Sequence, residues 1–133
     1  MIALDTNALL RFLLRDDEAR FTTVNRVVRH ARRDAVPLYV ADVVLCEVGW
    51  VLASRGKMAR EAIAELLGEL LESELVEFED EPAVERALRR YSAGRGDFPD
   101  YLLRERALAA GATEVVTFDR DLRGEAGFRV LGG

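Results

Sequence analysis

Cysteine, histidine, tryptophan and proline are scarce in this chain of 133 residues, which holds one cysteine, one histidine, one tryptophan and three prolines. Each scarcity excludes something. Cys46 has no partner for an internal disulfide, which fits a reducing compartment. One Cys and one His leave no zinc-ligand spacing, and His30 has no serine and acid arrangement to complete. There is no glycine-rich phosphate loop. No apolar run approaches the roughly 20 residues that cross a bilayer, and no basic segment precedes a hydrophobic stretch as in a secretory leader. The expectation is a cytoplasmic protein with no membrane partner. Internal repeats, linkers and low-complexity segments are also lacking.

What is present is a core and an excess of acid. Half the residues are apolar and 32% are charged, as in one soluble domain spanning 1–133. The formal net charge of −5 argues mildly against a dedicated nucleic-acid binder, yet charge is uneven along the chain. Arginines gather at Arg29, Arg32 and Arg33, at Arg55 and Arg60 with Lys57, and at Arg86, Arg89, Arg90 and Arg95. Each such cluster reads as a solvated helix face or as a phosphate-binding surface. Acids gather from Glu61 to Glu81.

Short apolar runs alternate with longer segments of helical period. Residues 2–4, 38–40, 75–78, 115–118 and 128–131 read as strands. Helices are expected over about 8–15, from Phe21 through Arg29, over 43–54 and 59–71, from Pro82 to Tyr91, and from Phe98 to Gly111. Asp42 is a plausible cap for the helix 43–54. This alternation predicts an α/β fold, a three-layer α/β/α sandwich around a mainly parallel sheet. Right-handed crossovers then put the strands' carboxyl ends on one edge, where ligands of parallel sheets bind.

Four acids stand where that edge is expected. Asp5 ends the first apolar run, with Thr6 and Asn7 after it; a helix cap is its bland reading, although Thr6 or Asn7 can also cap. Glu47 is the only charge between Val43 and Ala53. Helical spacing puts it with Val44, Val48 and Val51 on the face expected to enter the core, where an unpaired carboxylate is costly. Asp100 lies in the first turn of the helix beginning near Phe98-Pro99 and is expected to start a buried stripe with Leu103, Ala107 and Ala110. Asp97 fits that helix's cap. Asp119 follows the strand 115–118, and Asp121 stands two residues on. Like charges at close quarters resist ionisation. A hard divalent cation, Mg²⁺ or Mn²⁺, relieves the conflict, keeps waters and binds phosphate. Such a site suits in-line hydrolysis of a phosphodiester.

The ordered set Asp5-Thr6-Asn7, Glu47 within Val-Leu-Cys-Glu-Val-Gly-Trp-Val-Leu, Gly96-Asp97-Phe98-Pro99-Asp100-Tyr101-Leu102-Leu103, and Val116-Thr117-Phe118-Asp119-Arg120-Asp121-Leu122 resembles the PIN-domain family, most closely its VapC-type ribonuclease toxins. The resemblance covers nearly the whole chain. It implies an Mg²⁺-dependent endoribonuclease acting on single-stranded or structured RNA, paired with a cognate antitoxin in a type II toxin–antitoxin system, and typically a homodimer. It makes Asp5, Glu47, Asp100 and Asp119 the catalytic and metal-binding acids. Thr6, Asn7 and Thr117 become residues that hold those carboxylates or their waters. Asp97 and Asp121 leave the third and fourth ligands open. Arg104 and Glu105 depart from the family's usual Ile- and Ala-rich helix and are expected near the site, altering substrate access.

Other readings remain beside it. A phosphatase using Asp5 as nucleophile wants a second Asp at the position of Asn7. A PIN-like nuclease of RNA processing, or an α/β module whose acids bind only a structural ion, would use the same residues. His30 reads as a surface residue, Cys46 as core filler, and Trp50 as core or dimer interface.

Overall fold

Acidic caps set the starts of several helices in the computed structural model, which describes residues 1–132. Asp5, Asp17 and Asp80 each accept a hydrogen bond from the backbone N–H three residues on, satisfying donors that a helix start leaves free. The chain runs β1 (Ile2–Ala3), α1 (Thr6–Leu14), α2 (Glu18–Arg33), β2 (Leu38–Val40), α3 (Asp42–Ser54), α4 (Arg60–Glu72), β3 (Val76–Phe78), α5 (Glu81–Ala93), α6 (Phe98–Ala109), β4 (Val115–Thr117) and β5 (Phe128–Val130). A single 3-10 turn, Arg120–Leu122, lies between the last two strands. Ala41, not Asp42, takes the cap position of α3, and Asp42 begins the helix.

Every strand pairing is parallel. Ala3 pairs with Tyr39 and Tyr39 with Glu77, so β1, β2 and β3 end on one edge, followed by Asp5, Asp42 and Glu79. The α/β fold is therefore the one expected. The ladder is broken, however: β4 and β5 pair only with each other among the described residues. Strands of two and three residues offer few ladder bonds, so side chains hold much of this edge together.

Leu9, Val40, Val48, Leu52, Ala83 and Ala87 are wholly buried. They join α1, β2, α3 and α5 in one core with Ile63, Leu67 and Leu70 of α4. Gly49 allows α3 to approach α6 closely, since a Cβ there would stand 3.4 Å from the Phe98 Cβ.

Helix α6 corrects its sequence reading. Its buried residues are Phe98, Tyr101, Leu102, Arg104 and Glu105, whereas Leu103 and Ala110 are exposed. Tyr101 and Leu102 set the inward face, which carries Arg104 and Glu105 into the core side. There the Arg104 guanidinium meets Glu105 at 3.2 Å and donates to the Ala126 carbonyl at 2.6 Å. Arg86 of α5 meets the other Glu105 oxygen at 3.2 Å. These charges do not control access to the acids; they tie α6 to α5 and to the segment before β5. Removing one partner of such a buried pair leaves the other uncompensated. Glu105→Ala should cost about 3 kcal/mol in urea unfolding, while Arg104→Met with Glu105→Leu should recover most of that loss.

Candidate active site

The ends of α3 and α6 are fixed against each other before any acid is placed. Gly49 of α3 sits against Phe98 and Pro99 at the start of α6. At the other end Arg106 of α6 meets Asp42 at 2.9 Å, Asp80 at 3.0 Å and Glu79 at 3.7 Å. The helices therefore run antiparallel, with Cys46 between their ends. Burial raises the Cys46 thiol to about 11, and the charges of Asp42, Asp100 and Glu47 add to the shift. The thiol is thus neutral at pH 7.

Asp100 lies in the first turn of α6, where its Oδ2 accepts the Asp97 backbone N–H at 2.9 Å. Burial raises its carboxyl above 3.8; the Asp97 amide opposes this, and the charges of Asp97, Asp119 and Glu125 reinforce it. Gly96 makes that crowding possible: a Cβ there would lie 2.5 Å from Leu122 and 3.2 Å from the Asp100 Oδ2. Leu122 is buried and closes the turn that begins at Asp119. Arg60 holds the loop before α6, donating to the carbonyls of Tyr91 at 2.9 Å and Gly96 at 2.7 Å, while its guanidinium lies 4.5 Å over the Tyr91 ring.

Asp119 follows β4 as Asp5 follows β1. Its backbone N–H donates to the Thr117 hydroxyl at 3.0 Å, and its Oδ1 accepts the Asp121 N–H at 2.9 Å. Thr117 thus orients the acid, while Asp121 contributes its backbone and turns an exposed side chain outward. Asp5 spends Oδ1 on the Ala8 N–H at 2.8 Å, so it caps α1 itself. The side chains of Thr6 and Asn7 head a groove of about 510 Å³ between α1 and α3.

Glu47 differs from its sequence reading. It is exposed, as are Val43 and Trp50 at 62% and 51%. The core face of α3 is Val44, Leu45, Val48 and Leu52, and Glu47 lies just off that stripe. Its significance therefore cannot rest on buried charge. It stands on the same open face as Trp50, and its charge, like that of Asp100, acts on Cys46. Trp50 is likewise not core.

The structure thus brings Asp97, Asp100 and Asp119 within electrostatic reach, and the charges of Glu47 and Asp100 both act on Cys46. No hydrogen bond or ion pair links Asp5 to another of these acids. Among the described residues, no three His, Cys, Asp or Glu side chains stand close enough to hold an ion. The donors are nonetheless all oxygen, the chemistry that hard divalent cations prefer. Glu125 was missed by sequence reasoning. Its Oε2 accepts the Tyr101 hydroxyl at 2.6 Å, and burial, followed by that bond, raises Tyr101 to about 12. Glu125 sits in a loop with no periodic signal, so only folding reveals its nearness to Asp100.

Comparison with known proteins fits this arrangement. The model of the PIN domain matches residues 2–126. The chain belongs to the PIN-domain family. It is 31% identical over 131 residues to a VapC ribonuclease of Aquifex aeolicus (strain VF5), covering 98% of this chain and 96% of that protein. No solved structure matches.

The raised carboxyl of Asp100 gives a stability test on metal-free PIN protein. A carboxyl raised on folding holds its proton more tightly in the folded chain, so stability falls as pH rises above 3.8. Asp100→Asn keeps an acceptor for the Asp97 amide and removes the charge. In EDTA its melting temperature should exceed that of the parent at pH 7, and the gain should shrink as pH falls toward 3.8. A lower melting temperature at pH 7 would make the carboxylate a stabilising cap.

Proposed function

We propose that this protein is a metal-dependent endoribonuclease, the toxin of a type II toxin–antitoxin pair. The observation that carries the reading is the crowding of Asp100 by Asp97, Asp119 and Glu125, with no Lys or Arg pairing Asp5, Glu47, Asp100 or Asp119 among the described residues. Family membership and the VapC ribonuclease relative support the same chemistry.

Asp5, Glu47, Asp100 and Asp119 would hold Mg²⁺, or Mn²⁺. The ion supplies Lewis-acid polarisation of a phosphodiester and a water acidic enough to attack at neutral pH. The chain's own share is positioning. Asp5 and Asp119 each have one oxygen held by a backbone amide and the other free of protein hydrogen bonds, which fixes each carboxylate while leaving it a donor atom. Asp100 is fixed in the same way by the Asp97 amide. Thr117 sets the backbone of Asp119, and Thr6 and Asn7 line the groove beside Asp5. Because the acids stand apart without an ion, metal uptake entails turning side chains, with Glu47 the least restrained.

The partners of this reading are RNA, a cognate antitoxin and a second copy of the chain, all in the cytoplasm. No helix is long and apolar enough to cross a membrane among the described residues. Exposed Val43, Trp50 and Leu103 offer apolar surface for a protein partner.

A cleavage assay on mixed RNA tests the reading. Mg²⁺ or Mn²⁺ should support cleavage and EDTA abolish it; full activity in EDTA overturns it. Asp5→Ala and Asp119→Ala should each slow cleavage at saturating Mg²⁺ by roughly a hundredfold or more, about 2.7 kcal/mol. Asp121→Ala, which keeps the backbone amide on Asp119, should stay within about tenfold of the parent. Expression without the antitoxin should slow host growth, and Asp5→Ala should relieve it.

A further inference from the structure

Helices α1 and α3 start at the same sheet edge, α1 after β1 and α3 after β2. A groove of about 510 Å³ runs between them. Thr6, Asn7 and Arg11 line it from α1, and Val51 and Arg55 line it from α3. Each wall leads back to a candidate acid. On α1, Asp5 directly precedes Thr6, and Arg11 lies one turn, ~6 Å, beyond Asn7. On α3, Val51 lies one turn beyond Glu47 and Arg55 one turn beyond Val51, a stripe of about 12 Å on one side of the helix. The groove thus has a candidate acid at the head of each wall and an arginine further along each.

Neither arginine is firmly paired within the chain. Arg55 is exposed and has no carboxylate within ion-pair distance among the described residues. Arg11 meets Asp16, the one acid that lines the groove among the described residues, at 3.3 Å, with side chains 30% and 53% exposed. Such a pair contributes little and is screened by salt. The Arg11 Nε is buried without a hydrogen-bond partner, and a charged donor left unpaired is costly. Thr6 and Asn7 add neutral donors. Arginine suits phosphate, with a planar fork of donors and a permanent charge. Carboxylates alone repel a polyanion, so a strand with its scissile phosphate at the acids gains from cations under the phosphates that follow.

We propose that the groove between α1 and α3 binds the RNA backbone flanking the scissile phosphate, through Arg11 and Arg55. The proposal rests on the ribonuclease reading for its substrate, but its test does not need cleavage. Each phosphate contact on a single strand contributes about 0.7 to the slope of log affinity against log salt, so two contribute about 1.4.

Binding of fluorescent single-stranded RNA is measured in EDTA over a range of salt. Arg11→Ala/Arg55→Ala should lose at least tenfold in affinity at low salt and about 1.4 in slope, and Arg11→Lys/Arg55→Lys should keep most of the slope. Arg55→Ala alone, at an exposed position, should keep the parent's melting temperature and still lose about 0.7 in slope. Asp16→Asn frees Arg11 and should raise affinity at low salt, whereas Asp34→Asn, ahead of the amino end of β2, should not. In Mg²⁺ the double alanine variant should raise KM for long RNA more than it lowers kcat. Parental affinity and slope in Arg55→Ala overturn the proposal, and so does an equal gain from Asp16→Asn and Asp34→Asn, which would report net charge alone. Binding of a polyglutamate peptide, but not RNA, through Arg11 and Arg55 also overturns it and would make the groove a protein-docking site. Arginine-dependent RNA binding without cleavage by the parent in Mg²⁺ would keep the groove and remove the ribonuclease reading.

Discussion

One guanidinium answers three carboxylates at the centre of this structure. Arg106 meets Asp42 at the start of α3, Glu79 just after β3 and Asp80 at the cap of α5. Without it those acids would repel one another at the same sheet edge. Burial already raises the carboxyl of Asp42, Glu79 raises it further, and Arg106 opposes both. Asp42 Oδ1 is buried without a hydrogen-bond partner, so that carboxylate depends on the guanidinium for compensation. The geometric result is as important as the charge balance. Arg106 fixes one end of the α3–α6 pair and the Gly49–Phe98 approach fixes the other, so the separation of Glu47 from Asp100 follows from both.

The acids of the chain divide into two populations on this basis. Those that join elements have cations: Asp42, Glu79 and Asp80 share Arg106, Glu105 lies between Arg86 and Arg104, and Glu114 meets Arg129 at 2.7 Å. At the candidate site Asp5, Asp100 and Asp119 have backbone amides instead, and Glu47 is left without either. An amide fixes a carboxylate's direction without cancelling its charge. A site built this way is oriented but electrostatically unsatisfied, which is the state an incoming cation relieves.

Much of the fold was legible because its signals are local. Asp5 and Asp119 stand out as acids ending apolar runs, and Pro82 and Pro99 mark helix starts. The burial argument for Glu47 does not hold. Val44, Val48 and Val51 suggested a single buried face, yet the burial turns toward Leu45 and Leu52 and leaves the glutamate open. Arg104 and Glu105 read in sequence as charges near the site, and only their contacts with Ala126 and Arg86 show them to be internal. The Arg106 cluster joins residues 26 to 64 positions apart, beyond the reach of periodicity. The broken sheet is illegible for a similar reason, since strand pairing depends on edges that only tertiary packing brings together.

The open face of α3 has a spectroscopic consequence. Trp50 is the chain's one tryptophan; it is half exposed and lies one helical turn beyond Glu47. Indole emission depends on solvent contact, and no second indole contributes a background. The intrinsic fluorescence of the unlabelled protein is therefore a report from a single address, beside the least restrained of the candidate acids. Whatever comes to rest on that face, ion-driven side-chain movement or a covering macromolecule, alters the light from one residue.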